Sequence, residues 1–247
     1  MTSLSIADLT EREIAKAIDH SLLRPELDDA FVENGCRLAL EYDVASVCVR
    51  PADVRRAAAI LTGSDVKVGT TIGFPHGNHR TETKVDESRR ALADGATELD
   101  MVIQIGALKS GRDADVGADI AAIVEVAHSA GAIVKVIFEN AYLTDGEKIR
   151  ACRLSEAAGA DFVKTSTGFA PGGATHDDLR LMRANTSPHI GVKAAGGIRT
   201  LDALLEVMAL GTTRIGATAT KTIIDDFRAR KAGLAPAEPA TADAGTY

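Results

Sequence analysis

Ala158-Gly159-Ala160-Asp161-Phe162-Val163-Lys164-Thr165-Ser166-Thr167-Gly168 is the stretch on which the reading of the chain turns. Gly159 closes a helix pattern, because glycine tolerates the left-handed backbone of a helix C-cap. A short β-rich run with a lysine inside it follows, and Gly168 ends the run. The same junction recurs at Asp94-Gly95-Ala96, Ala130-Gly131-Ala132 and Leu210-Gly211-Thr212, each between a helix pattern and a strand-like run. Ile190-Gly191-Val192-Lys193-Ala194-Ala195-Gly196-Gly197 repeats the lysine-bearing strand 193 − 164 = 29 positions later, about the size of one βα unit.

Around this core the strand candidates are residues 46–49, 66–72, 98–105, 133–139, 162–165, 190–194 and 214–216. Several lack clean alternation, as strands covered by helices should. Helices between them are supported by spacing: Leu201, Leu204, Leu205 and Met208 fall at i, i+3, i+4 and i+7, and Thr144-Asp-Gly-Glu147 reads as a capping box. A second capping box, Thr10-Glu-Arg-Glu13, opens a short helix leading into Asp19-His-Ser-Leu-Leu23. If that segment is also a strand, the count is eight. Eight strands alternating with helices in 247 residues predict an α/β fold, a single-domain (β/α)8 TIM barrel, with an open doubly wound sheet as the alternative. The barrel is expected over residues 1–230. Residues 231–247 shift to Ala, Pro, Glu and Thr without apolar periodicity, which predicts a mobile C-terminal tail ending in Tyr247.

The net charge of −7, with Lys and Arg scattered, argues against nucleic-acid or anionic-membrane binding. Cys36, Cys48 and Cys152 form no CxxC pair and fit a reducing compartment. The N-terminus lacks a basic region followed by an apolar one, and no apolar run approaches the roughly 20 residues that span a bilayer. A soluble, cytoplasmic protein is expected.

A lysine inside a buried strand must pair its ammonium or lose its proton, and a neutral amine there is a nucleophile. Lys164 is therefore a Schiff-base candidate. Barrel strands turn alternate residues inward, so Lys164, Lys193 and Asp100 of the fourth strand can converge. Lys193 could hold Lys164 neutral, and Asp100 could shuttle a proton. The competing reading is a structural ion pair with a snorkelling lysine. Gly168, Gly172-Gly173, Gly196-Gly197, Gly216 and Thr218 cluster after the last three strands, where barrels often hold a phosphate. Arg199 could add charge or simply be a solvated arginine at a helix start. Glycine-rich turns alone are weak evidence, since tight βα loops need glycine sterically.

Other motifs point elsewhere. His76-Gly-Asn-His79 lacks acidic or Cys partners at metal-ligand spacing, so no zinc site is expected and His76 reads as a loop-rim residue. Cys48 reads as a small buried hydrophobe. Glu139, at the end of the fifth strand, is supporting or structural. No Walker loop and no GxGxxG after a strand are present, so no nucleotide cofactor is expected.

Taken together, Ile18-Asp-His-Ser-Leu-Leu23, Val68-Gly-Thr-Thr-Ile-Gly-Phe-Pro75, Glu98-Leu-Asp-Met-Val-Ile-Gln-Ile-Gly-Ala-Leu-Lys109, Phe162-Val-Lys-Thr-Ser-Thr-Gly-Phe169, Gly191-Val-Lys-Ala-Ala-Gly-Gly-Ile-Arg-Thr200, Arg214-Ile-Gly216 and terminal Tyr247 resemble the 2-deoxyribose-5-phosphate aldolases, class I aldolases with a (β/α)8 barrel. The resemblance covers nearly the whole chain. It implies metal-independent retro-aldol cleavage of 2-deoxyribose 5-phosphate to glyceraldehyde 3-phosphate and acetaldehyde, without a cofactor. It implies that Lys164 forms the Schiff base, Lys193 activates it, Asp100 is the acid/base partner and Tyr247 assists proton transfer. It further implies that Asp19, Cys48 and Thr167 lie near the substrate, and that Gly168, Gly196, Gly197, Gly216 and Thr218 contact the phosphate. A homodimer or homotetramer is implied as well. Gln104, Ala195, Phe169 and Ala217-Thr218-Ala219 depart from the residues associated with the family, which predicts weaker phosphate recognition rather than lost chemistry. Rival readings are another barrel aldolase or isomerase on the same anion site, and a catalytically silent sugar-phosphate binding protein.

Overall fold

Every β-rich run becomes a strand of one parallel sheet, and pairing of the first strand with the eighth closes the sheet into a barrel. The computed structural model describes residues 4–235. Tyr247 and most of the expected tail lie outside the described residues. The strands are β1 (Ile18–Leu22), β2 (Ser46–Val49), β3 (Lys67–Ile72), β4 (Glu98–Val102), β5 (Ile133–Ile137), β6 (Phe162–Lys164), β7 (Gly191–Ala195) and β8 (Arg214–Ala217). The helices are α1 (Glu11–Ala15), α2 (Asp29–Glu41), α3 (Val54–Leu61), α4 (Thr81–Ala93), α5 (Ile105–Lys109), α6 (Asp113–Ser129), α7 (Asp145–Ala157), α8 (His176–Ala184), α9 (Leu201–Ala209) and α10 (Thr220–Lys231). The closed order β1 to β8 selects the barrel over the open sheet.

Local chemistry explains the boundaries. Both capping boxes form: Thr10 N–H donates to Glu13 Oε2 and Thr144 N–H to Glu147 Oε2, each at 2.7 Å. The junction glycines Gly95, Gly131, Gly159 and Gly211 all take positive φ, as a helix C-cap requires. Two strands end sooner than expected. Glu139 sits at φ 57°, a left-handed turn that no strand can pass through, so β5 stops at Ile137. The 98–105 run stops at Val102 because Ile105 already opens α5. In α9 the buried stripe is Leu201, Leu204 and Val207; Leu205 and Met208, expected within it, are only partly buried at its edge.

Strand alternation sorts residues into two environments. Val47, Val49, Leu99, Met101, Val134, Val136, Val163, Val192 and Ile215 belong to the apolar cluster shared with the helices, where burial supplies the main stabilisation. The alternate positions face the barrel interior, which in this chain is polar and charged rather than filled by branched apolar side chains. Phe162 and Gly191 share a register there: a Cβ on Gly191 would come within 2.2 Å of the Phe162 ring, so the ring takes the room a side chain would need. Between α4 and α6, Lys84 and Asp119 form an ion pair at 2.6 Å with both side chains fully buried, and Lys84 also donates to Val102 O at 2.8 Å. All three cysteines are free and buried. Among the described residues no helix is long and apolar enough to cross a membrane.

Candidate active site

Register brings the candidate residues together. Lys164 pairs across to Lys193, and Lys193 to Arg214; Asp100 pairs across to Lys135. Lys164 Nζ and Lys193 Nζ both donate to Asp100 Oδ2 at 2.7 Å. Lys193 also meets Asp19 Oδ2 at 2.5 Å. Lys135 reaches Glu98 at 2.5 Å, Asp100 Oδ1 at 3.0 Å and Asp19 at 3.2 Å. Arg214 pairs with Asp19 and, at 2.6 Å, with Glu98. Asp19, Asp100 and Lys135 are wholly inaccessible to solvent, and Lys164 and Lys193 nearly so.

This network of ion pairs sets three carboxylates (Asp19, Glu98, Asp100) against four bases (Lys135, Lys164, Lys193, Arg214). With every group ionised one positive charge is in excess, and an uncompensated buried charge is expensive. Lys164 has the fewest carboxylate partners in the network. Burial pushes its pKa down; Asp100 opposes that shift and the Lys193 ammonium reinforces it. Of the two influences that lower it, burial is the larger and the Lys193 ammonium the smaller. Burial also disfavours the charge on Lys193, but Asp100 and Asp19 outweigh it and raise its pKa. Lys135 is raised well above the ordinary lysine value, against burial, by Asp100, Asp19 and Glu98. Burial works against the Asp100 carboxylate, yet Lys135, Lys164 and Lys193 hold it well below the usual range.

Cys48 is buried, and burial followed by repulsion from Asp100 pushes its thiol up to about 11. Burial thus disfavours its thiolate, the nucleophilic form. His76 is exposed in the loop after β3, at the rim as expected. No group of three or more His, Cys, Asp or Glu that could hold a metal ion occurs among the described residues.

Above the cluster, Lys164, Thr167, Gly168, Gly196, Gly197, Arg199, Gly216 and Thr218 line one pocket, closed by Ser21, Leu23, Ala195, Ile198 and Ala217. The expected glycine loops thus gather around the Schiff-base candidate. The pocket is narrow, about 30 Å³, room for roughly one water. A wider cleft of about 690 Å³, edged by Arg24, Pro25, Phe169, Ala170 and Pro171, shares Gly168, Gly196 and Gly197 with it but does not reach the lysine. The narrower pocket is the candidate site because it alone contains Lys164, and the cleft is its approach. Gly173 and Gly196 touch backbone to backbone: a Cβ on Gly173 would lie 2.5 Å from Gly196 O. Phe169 stacks edge-on against Phe74 with ring centroids 5.2 Å apart.

Thr167 lines the pocket, but its hydroxyl is donated to Glu139 and accepts from Phe169 N–H at 3.0 Å. The sequence reading leaves out Lys135, Glu98 and Arg214. Lys135 carried the same signal as Lys164 and Lys193, a lysine inside an apolar strand, in Ile133-Val-Lys-Val-Ile137. Glu98 and Arg214 open their strands, where a charge ordinarily reads as solvated.

Comparison with known proteins bears on the family and the fold. Residues 13–234 match the DeoC/LacD family of aldolases. A deoxyribose-phosphate aldolase from Rhodopirellula baltica is 48% identical over 223 residues, spanning 90% of this chain and 92% of its own. A putative deoxyribose-phosphate aldolase from Coccidioides immitis superposes with a TM-score of 0.85 at 40% identity, covering 92% of this chain and 88% of its own. The tetrameric deoxyribose phosphate aldolase from Aeropyrum pernix gives a TM-score of 0.83 at 31% identity, over 90% of this chain and 93% of its own.

Proposed function

The chain belongs to the DeoC/LacD aldolase family, and from that premise we propose that it cleaves 2-deoxyribose 5-phosphate to glyceraldehyde 3-phosphate and acetaldehyde through an imine on Lys164. The observation that carries the residue assignment is the single surplus base in the buried cluster, which falls on the lysine facing the pocket.

In the proposed sequence, neutral Lys164 attacks the C1 aldehyde of the open-chain sugar to give a carbinolamine, and one proton taken up from solvent lets its hydroxyl leave as water, giving a protonated imine. The imine then draws electrons from the C2–C3 bond as the C3 hydroxyl loses its proton. Asp100 accepts that proton through a water. A carboxylate flanked by two ammonium groups, Lys135 and Lys193, and by the cationic imine is a weak base, but cleavage turns that imine into a neutral enamine. Asp100 thereby loses a cation 2.7 Å away and gains basicity as the proton departs. Protonation of the enamine at C2 and hydrolysis release acetaldehyde and restore the amine. Lys193, held charged by Asp100 and Asp19, keeps the electrostatic pressure on Lys164.

Gly168, Gly196, Gly197, Gly216 and Thr218 are proposed to hold the 5-phosphate through backbone N–H groups and the Thr218 hydroxyl, with Arg199 adding charge. Cys48 and Asp19 wall the site from below. Tyr247, proposed as the acid for the enamine, lies outside the described residues, and its role rests on the family resemblance. A cytoplasmic homo-oligomer, dimer or tetramer, is proposed on the same ground.

The test is release of glyceraldehyde 3-phosphate from 2-deoxyribose 5-phosphate by the full chain and by K164A. The wild type should turn over and K164A should not; ordinary turnover by K164A would sink the mechanism.

A further inference from the structure

We propose that Glu139 is a positioning residue of the aldolase site: through the hydroxyl of Thr167 it fixes the turn at Gly168, and with it the phosphate-binding edge of the pocket. The proposal rests on the aldolase reading above.

Glu139 follows β5 in a left-handed conformation, φ 57° and ψ 66°, which a side-chain-bearing residue seldom adopts without surrounding structure to hold it. On either side of it the chain is tied to the end of β6: Phe138 N–H donates to Lys164 O at 3.0 Å and Asn140 N–H to Thr165 O at 2.9 Å. The side chain is buried, and its two oxygens each lie 3.3 Å from Thr167 N. Thr167 Oγ1 donates a short hydrogen bond to Oε2 and accepts from Phe169 N–H at 3.0 Å. Gly168, at φ 87°, thus lies between Thr167, bonded to the carboxylate, and Phe169, bonded to the Thr167 hydroxyl. Gly168 lines both the lysine pocket and the outer cleft.

Hydrogen-bond capacity sharpens the role of Thr167. A hydroxyl has one proton and two lone pairs. The proton goes to Glu139 and one lone pair to Phe169, so Thr167 can accept from a sugar hydroxyl but has no proton to offer one. Glu139 does not line the lysine pocket, so it acts there through Thr167. Charge-assisted bonds of this kind hold geometry more firmly than neutral ones. Burial pushes the Glu139 pKa up, and the bonds from Thr167 offset part of that rise.

The test compares E139A, T167V, T167S and the double variant E139A/T167V with the wild type. Readouts are KM and kcat for 2-deoxyribose 5-phosphate and for unphosphorylated 2-deoxyribose, and the rate at which acetaldehyde and borohydride alkylate Lys164. Wild-type turnover and alkylation come first; their absence would reject the aldolase reading itself rather than the role of Glu139. E139A and T167V should each raise KM for the phosphorylated sugar about ten- to hundredfold, the size of effect a misplaced binding group produces. In E139A, alkylation of Lys164 and KM for the unphosphorylated sugar should stay within about threefold of wild type; T167S, which keeps the hydroxyl, should raise KM for the phosphorylated sugar less than T167V does, and the double variant should be no worse than T167V alone. If E139A fails to fold, T167V against T167S decides. Equal losses for both sugars, alkylation falling in step with turnover, or additive effects in the double variant would overturn the proposal.

Discussion

Lys164 and Lys193 stand in register on neighbouring strands and donate to the same oxygen of Asp100 at the same distance, 2.7 Å, yet their pKa values are driven in opposite directions. The difference lies in what else each touches. Lys193 has a second carboxylate, Asp19, at 2.5 Å, while Lys164 has only the shared one within the network and borders the pocket. On the proposed mechanism Lys164 is the nucleophile and Lys193 a fixed charge.

Removing Lys193 leaves three carboxylates facing three bases, so Lys164 no longer carries a surplus charge and keeps its proton to higher pH. The neutral amine is the reactive form, so the rate rises as pH passes through the pKa of Lys164. In K193M the acidic limb of the pH–rate profile should move to higher pH, with turnover at neutral pH reduced about tenfold for each unit by which the pKa of Lys164 rises. An unmoved limb would show that Lys193 does not act on the charge of Lys164.

D19N should shift that limb the other way. With two carboxylates against four bases the cluster carries a larger surplus, and Lys164 sheds its proton at lower pH. The rate of imine formation with acetaldehyde, followed across pH, reads this directly. Stability should fall by about 3–5 kcal/mol, as when one member of a buried ion pair is removed, and denaturant unfolding measures that separately.

Stability in mild acid should depend on His20. It is buried on β1 with Nδ1 2.9 Å from Thr220 Oγ1 at the start of α10, and burial lowers its pKa from 6.5 to about 4. Between those values the unfolded chain binds a proton that the folded protein refuses, so stability is fully present above pH 6.5 and declines as pH falls toward 4. Each pH unit across that window removes about 1.4 kcal/mol at most. H20Q should unfold with a flatter dependence between pH 6.5 and 4, and an unchanged slope would remove His20 as the cause.

Far from the pocket, Lys84 and Asp119 bury a complete ion pair between α4 and α6. K84M strands the Asp119 carboxylate in the interior and should destabilise by about 3–5 kcal/mol, whereas K84M/D119L, which removes both charges, should recover most of that loss. Chemical denaturation of the three proteins makes the comparison. A double variant no better than K84M would mean that the bond from Lys84 to Val102 O matters more than the charges.

Much of the barrel was legible because its punctuation is local. Gly95, Gly131, Gly159 and Gly211 mark helix ends by their own backbone freedom, and Thr10-Glu13 and Thr144-Glu147 mark helix starts by bonds within four residues. Lys164 and Lys193 stood out because a lysine in an apolar strand has no local reason to be there. What the sequence could not supply was a count of charges sharing one cavity, since Glu98, Lys135 and Arg214 join Asp19 and Asp100 only when eight strands close in one register. The left-handed turn at Glu139 was hidden for the same reason: no residue next to it demands it, and the partner its side chain meets, Thr167, lies 28 positions away.

The central claim is that Lys164 is the amine that forms the imine. Wild-type protein is incubated with acetaldehyde, reduced with borohydride, digested and mapped by mass spectrometry. The account predicts a single ethyl group on Lys164, lost in K164A; an ethyl group on Lys193 or Lys135 instead, or no covalent modification at all, would contradict it.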